Sequence, residues 1–226
     1  MLNLHPLLGK PGGGSRTICK TPMLYRHTLR GREQVSDWEN INTGPFDTAG
    51  KGKSALLAAA YRSIKAEVYS QTEDQVIAVF HDFEKFFDTI DLPILIEKAL
   101  ELDFPVLGLA LTIMQHMAPR VIQCDSFCSK PMLVSRSILA GCRHSVALTR
   151  VLMLTGITKI NIEHPLVSTD VYVDDTAMLT YGEKEESLDN ITNAVLDLAK
   201  FAHSMHLKLS HKGVIVAKIQ QDGKKN

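Results

Sequence analysis

The order of apolar segments predicts an α+β fold built on a ferredoxin-like split β-α-β sheet. Three observations predict it. Val76–Phe80 (VIAVF) is a continuous apolar run of strand length, as a central, doubly covered strand requires. Val171–Val173 and Thr176–Thr180 are two short apolar runs joined so tightly that a hairpin is the natural reading. Leu188, Ile191, Val195, Leu198, Ala202 and Met205 step by three and four residues, the spacing of one helical face. With VIVA (Val214–Ala217) as a last strand, the order from Val76 onward is strand, helices, paired strands, helix, strand, with the helices on one face. In such a sheet the first strand lies beside the hairpin, so Asp82 is expected next to Asp174 and Asp175.

The remaining elements follow from local signals. Residues 1–14 end in PGGG and read as a loose leader. Ser15–Arg26 is short, basic and strand-like, and leads into a helical segment towards Trp38. Ile41–Lys53 is loop by its Gly, Pro and Asn content. A helix is expected from Ser54 to Val68, with Leu57, Tyr61, Ile64 and Val68 on one face. Asp91 is a good N-cap with Pro93 in the first turn behind it. A second helix is predicted over Pro105–Met117, short strands at Arg120–Gln123 and Pro131–Val134, and a helix near Ser145–Leu154. The tail from residue 219 onward is polar. The domain plan expected is therefore a leader (1–14), a first subdomain (15–75), a second subdomain (76–218) and a tail (219–226).

At 226 residues, 45% hydrophobic and 22% charged, the chain has material for a sizeable core and no polar tract that signals disorder. The longest apolar run, Phe104–Met114, carries a Pro and a Gly and is too short to span a bilayer, so no membrane partner is expected. The N-terminus lacks the basic-then-apolar layout of a signal peptide, and Cys19, Cys124, Cys128 and Cys142 form no second metal-ligand pair. Free thiols and an intracellular, non-secreted chain are expected. The net charge is zero, which argues against indiscriminate nucleic-acid binding. It is unevenly spread: residues 1–66 carry a net of +6 and the remainder −6. A basic part that grips phosphates joined to a part that bears carboxylates fits that asymmetry.

Asp174 and Asp175 make a poor turn, because Asp-Gly or Asn-Gly serves a hairpin better and adjacent carboxylates repel. Three carboxylates at neighbouring strand ends require a cation. Hard oxygen ligands favour Mg²⁺, which keeps several waters and takes its other ligands from substrate phosphates. Two such ions, about 3.5–4 Å apart, clamp the attacking and leaving oxygens of a phosphoryl transfer.

These residues resemble a known family. HDFEKFFDTID (His81–Asp91) is similar to the first palm motif of reverse transcriptases of the non-LTR retrotransposon and group II intron type, and YVDD (Tyr172–Asp175) to their YxDD box. AGCRHS (Ala140–Ser145), LKLSHK (Leu207–Lys212) and SRTI (Ser15–Ile18) resemble further motifs of that family in the right order, over roughly residues 15–218. The resemblance implies a right-hand polymerase palm over 76–218, preceded by partial fingers over 15–75. It implies an RNA-directed DNA polymerase that joins dNTP to a DNA primer on an RNA template, within a retroelement polyprotein carrying further domains. Asp82 and Asp174 would ligate two Mg²⁺ ions (Mn²⁺ is an alternative), with Asp175 supporting one. Phe87 would gate against a ribose 2′-OH, Arg16 with Lys20 would hold the triphosphate, and Gly141 would admit template or nucleotide. Lys212 would protonate pyrophosphate, and Tyr172 would pack near the primer end. Lys51 and Lys53 either grip template phosphates or solvate a loop. Asp88 and Asp91 read as helix caps. The chain departs from the family pattern at Ala140, Val146 and Thr17, where Gln, Pro and Pro are usual.

Other readings are weaker in pattern. AGKGKS (Ala49–Ser54) is reminiscent of a P-loop, but that motif places a Gly where this chain has Asp47. An inactive palm remnant that at most binds nucleic acid keeps the same motifs. An RNA-dependent RNA polymerase or a nucleotide cyclase shares the palm, but an RNA polymerase needs a small or polar group where Phe86 and Phe87 stand.

Overall fold

The structure is a computed structural model that describes residues 2–31, 33–73 and 75–219. In chain order the elements are β1 (Asn3–Gly9), β2 (Ser15–Thr17), α1 (Met23–Arg30), α2 (Glu33–Ile41), α3 (Ala55–Thr72) and β3 (Gln75–His81). They continue with α4 (Phe86–Thr89), α5 (Leu92–Glu101), α6 (Val106–His116), β4 (Arg120–Cys124), β5 (Phe127–Cys128) and α7 (Ser145–Glu163). The last are β6 (Ser168–Tyr172), β7 (Asp175–Gly182), α8 (Lys184–Ser204) and β8 (Val214–Ile219). The tail expected beyond residue 219 lies outside the described residues.

The chain forms two compact units, residues 1–42 with 85–152, and residues 43–84 with 153–226. These units cut across the expected plan of 15–75 and 76–218: residues 43–75 group with the second unit and residues 85–152 with the first. The reason is long-range pairing. In the first unit the expected leader is strand β1, which pairs in parallel with β4 (Asn3 opposite Arg120) and antiparallel with β2 (Leu8 opposite Arg16). The Asn3 side chain donates to the Gln115 carbonyl at 2.7 Å. That unit's sheet order is β2-β1-β4-β5. Pro131–Val134 is not a strand; Met132 alone bridges to Arg120, and Phe127–Cys128 takes the hairpin position. Cys19 and Cys142 are buried free thiols, whereas Cys124 and Cys128 are exposed.

The second unit holds the predicted sheet, in the order β6-β7-β3-β8, all antiparallel. Alternation along β3 and β7 gives the sheet two inner faces. Val76, Ala78 and Leu179 face α3, with Ala66 and Tyr69 packed on them. Ile77, Val79, Met178 and Thr180 point the other way and are buried. There α8, which packs on β7 and β3, buries Ile191, Ala194, Leu198 and Ala202. Helices thus cover both faces, not one, because α3 turns onto the sheet the chain is about to form. The face expected to anchor α3 is exposed instead: Leu57 70%, Tyr61 64%, Ile64 62% and Val68 52%.

Helix α7 runs well past the expected Leu154. It is long and apolar enough by composition to cross a membrane, but Leu148, Val151, Leu152 and Ile157 along it are buried within the fold.

Candidate active site

The second unit brings its acidic residues to one end of the sheet. Strand β3 pairs with β7 through His81 opposite Thr176, and continuing that register sets Asp82 beside Asp175. Strands β6 and β7 pair up to Tyr172 opposite Asp175, which leaves a two-residue turn, Val173-Asp174. Val173 has φ 63°, a left-handed conformation that a β-branched residue adopts only under strain. The hairpin therefore holds Asp174 at the turn although Val173 does not suit it. A second strap fixes Asp82. The amide of Ser210 donates to the Asp82 carbonyl at 2.7 Å, Phe83 bridges Leu209, and Lys208 pairs with Glu84 at 2.7 Å. The lysine-bearing segment Leu207–Lys212 thus runs along Asp82. Lys212 is exposed in the turn that follows, its amide bonded to the Ser210 hydroxyl.

The electrostatics fit a cation. Burial first, then the Asp175 charge, push the Asp174 carboxyl up to about 6, and Asp82 adds in the same direction. Burial and Asp82 also raise Asp175. These carboxylates repel one another in a half-buried site, and a divalent ion is the charge that removes the conflict. The donor set, three hard carboxylates, suits Mg²⁺ or Mn²⁺. Among the described residues, the ligating group whose atoms all lie within 4.8 Å of one another is a different one, Glu163, His164 and Asp197. Asp197 there is already paired with Lys200 at 2.7 Å and His164 at 2.9 Å, and Glu163 with Lys159 at 3.6 Å.

Beside Asp175 lies an open cavity of about 330 Å³, lined on one side by α3 and on the other by the strands. Two residues that the sequence did not single out dominate its polar wall. The Arg62 guanidinium pairs with Asp170 at 3.2 Å and lies 5.4 Å from the centre of the Phe80 ring. Burial raises the Asp170 carboxyl, and Arg62 and Lys65 oppose that rise. The available signal was an acid in the middle of a short strand (STDVY) and an arginine behind three alanines. Tyr172, 45% exposed, lines the same cavity. Lys51 is exposed, whereas the Lys53 ammonium is tied to the carbonyls of Gly44 at 3.0 Å and Asp47 at 2.7 Å. The Lys53 side chain thus braces its own loop. That loop also follows β6, where Thr48 donates twice to the Val171 carbonyl.

Arg16, Lys20, Phe87 and Gly141 all lie in the first unit. Arg16 is exposed on β2, and the Lys20 amide bonds to Leu4 with its side chain exposed. Gly141 has φ +101°, and a Cβ there would meet the Cys19 carbonyl and the Ile18 side chain at 2.9 Å. The backbone this glycine admits is that of the Arg16–Lys20 segment, and the Cys19 amide bonds to Ala140 at 2.7 Å. Phe86 is core at 2% exposure; Phe87 is half-buried, edge-on to it at 5.7 Å. Asp91 is the N-cap residue of α5 without a side-chain cap bond, and it pairs with Arg136 at 3.6 Å.

A four-stranded antiparallel sheet of this order, with an Asp-Asp hairpin and a third aspartate at one end, is a polymerase palm. The reverse transcriptase (RNA-dependent DNA polymerase) family model matches residues 8–217, so the chain belongs to that family. No curated protein matches the chain in sequence. Among solved structures, apo telomerase from Candida tropicalis, truncated from its C-terminal domain, superposes with a TM-score of 0.65 at 12% identity, over 98% of this chain and 51% of that one. Telomerase from the same organism in complex with the TWJ fragment of telomeric RNA gives 0.66 at 12% identity, over 96% and 41%. The corresponding Candida albicans complex gives 0.58 at 13%, over 99% and 42%. The chain thus spans about half or less of these structures' length, and at this identity they share the fold.

Proposed function

We propose that this chain is the catalytic core of an RNA-directed DNA polymerase. It would extend a DNA primer on an RNA template with dNTPs, as part of a longer, intracellular retroelement polyprotein. The observation that supports this best is the meeting of Asp82, Asp174 and Asp175 at one sheet end, where burial and mutual repulsion leave a charge deficit. Asp82 and Asp174 would hold two Mg²⁺ or Mn²⁺ ions, with Asp175 supporting one. Bound there, the ions would supply charge neutralisation at the attacking and leaving oxygens of nucleotidyl transfer.

The chain's own residues do the rest. The strained Val173 turn and the Ser210–Asp82 bond preorganise the carboxylates. Lys212, at the end of the strap that follows Asp82, would give a proton to departing pyrophosphate. Arg16 and Lys20 would take the triphosphate, where a guanidinium grips oxygens in a fork. Phe87, partly exposed beside the core ring of Phe86, would refuse a 2′-OH. The test is primer extension with purified protein, RNA template, DNA primer and Mg²⁺, offered dNTP or rNTP. Extension with dNTP alone, lost in Asp174→Asn, is the expected result. No extension together with no Mg²⁺ binding would sink the reading and leave a palm remnant.

A further inference from the structure

The face of the sheet under α3 is built in rows that lead to the acidic end. The register sets Phe80 of β3 opposite Ala177 of β7, and Asp170 of β6 opposite Ala177 on its other side. Directly paired residues share a face, so these three side chains stand in one row across three strands. Continued by two residues along each strand, the same register gives a row of Asp82, Asp175 and Tyr172, about 7 Å further on by the rise of a strand. Arg62 of α3 lies across the first row. Its guanidinium pairs with Asp170 at 3.2 Å on one side and lies 5.4 Å from the centre of the Phe80 ring on the other, with the small Ala177 between them. Behind it α3 is anchored, where Ala66 and Tyr69 pack on Val76, Ala78 and Leu179 and Tyr69 stacks on Tyr181. Ahead of it Ala58 and Ala59 leave open the cavity that Tyr172 and Asp175 also line. One side chain thus joins β3, whose end carries Asp82, to β6, whose end leads into the Asp174 turn. An ion pair whose side chains are 20% and 30% exposed is a poor stability device, since desolvating both charges offsets most of their attraction. Its place, across the strands and one row behind the carboxylates, fits the alignment of those strand ends.

We propose that Arg62, anchored by Asp170, is a positioning residue for the divalent-ion site: it pins β3 to β6 across β7 and so fixes the spacing of Asp82 against Asp174 and Asp175. The assignment rests on the polymerase reading above. Arg62 acts through the carboxylates and not on the ion, as groups behind metal ligands do when they hold those ligands in the binding geometry. Charge alone predicts the opposite sign. A guanidinium one row from the site repels a cation, so its removal should tighten binding. Pinning predicts that its removal weakens binding.

The test titrates Mn²⁺ into the metal-free chain and follows the free ion's electron paramagnetic resonance signal, counting the sites that Asp174→Asn removes. Arg62→Met should weaken those sites about tenfold or more, the usual cost of losing a residue that holds metal ligands. Arg62→Lys, which keeps the charge but not the flat group between Phe80 and Asp170, should weaken them by less. Amide hydrogen exchange, read without metal, separates pinning from a general loss of stability. Arg62→Met should speed exchange over residues 168–182 and leave 184–204 as in wild type. Unchanged or tighter Mn²⁺ binding in folded Arg62→Met, or exchange that rises equally over 184–204, would overturn the proposal. A wild type that binds Mn²⁺ at these sites but extends no primer would overturn the polymerase reading and keep this one. A wild type with no site removed by Asp174→Asn would sink both.

Discussion

On one face of the β6-β7-β3-β8 sheet, α8 buries Ile191, Ala194, Leu198 and Ala202; on the other, α3 buries none of its residues fully. Both helices show apolar residues at helical spacing, yet Ile191, Leu198, Ala202 and Met205 of the row on α8 are buried, with Leu188 at its start exposed, and the whole row on α3 faces out. The difference is one of burial at the contact. α8 buries Ile191 and Leu198 as it packs on β7 and β3, strands in which Met178 and Val79 are buried. α3 presents alanines near its start, packs Ala66 and Tyr69 on the sheet, the latter stacked on Tyr181 at 3.5 Å, and reaches it again through Arg62, which pairs with Asp170 and lies over Phe80. One face is packed for stability, and the other keeps a space beside the acidic end of the sheet.

The comparison breaks most sharply at Leu198. Leu198→Ala deletes a fully buried side chain under the sheet and should cost about 2–5 kcal/mol in urea unfolding. A loss below about 1 kcal/mol would mean that α8 is not the structural face. Gly156→Ala tests the same side from α7. A Cβ at Gly156 would enter the Phe201 ring of α8, so the substitution should cost about 1–3 kcal/mol through overpacking.

The two faces also show what a sequence carries. The hairpin, β3 and α8 were legible because their periods are unambiguous and their partners lie in the same unit. Asp82, Asp174 and Asp175 were legible as a group because a ferredoxin-like order dictates which strand ends meet. The orientation of α3 was not: periodicity marks a face but not the side on which it finds a partner, and alanine marks neither. Strand β1 was missed because Pro6 and the PGGG run read as loop, while its pairing to β4 crosses more than a hundred residues of chain. Arg62 and Asp170 were missed because each is ordinary alone, and only the fold makes them a pair.

Asp174 gives a smaller effect that depends on pH. Its carboxyl rises from the usual 3.8 to about 6 in the fold. The folded state thus binds the proton more tightly than the unfolded one. The stabilisation is full below about pH 3.8 and is lost as pH rises through about 6. Without divalent ions, Asp174→Asn should therefore melt above wild type at pH 8, by a few °C at most, with the gap closing towards pH 4. Added Mg²⁺ should raise wild type and narrow the gap, because an ion that binds only the folded state stabilises it. Equal melting of the two proteins at pH 8 would show that Asp174 carries no unrelieved charge.

The smallest expected effect lies on the outer row of α3. Leu57 and Ile64 are mostly exposed and lie on the side away from Ala66 and Tyr69. Leu57→Ser with Ile64→Ser removes apolar surface that the fold does not bury, and should change the unfolding free energy by less than about 0.5 kcal/mol per site. Helix propensity works slightly against serine, so the small change should be destabilising. Measured beside Leu198→Ala in the same urea series, the pair gives the contrast its scale. A cost above about 2 kcal/mol for the double variant would place the row in a core. The two helices would then differ in what covers them, not in how they meet the sheet.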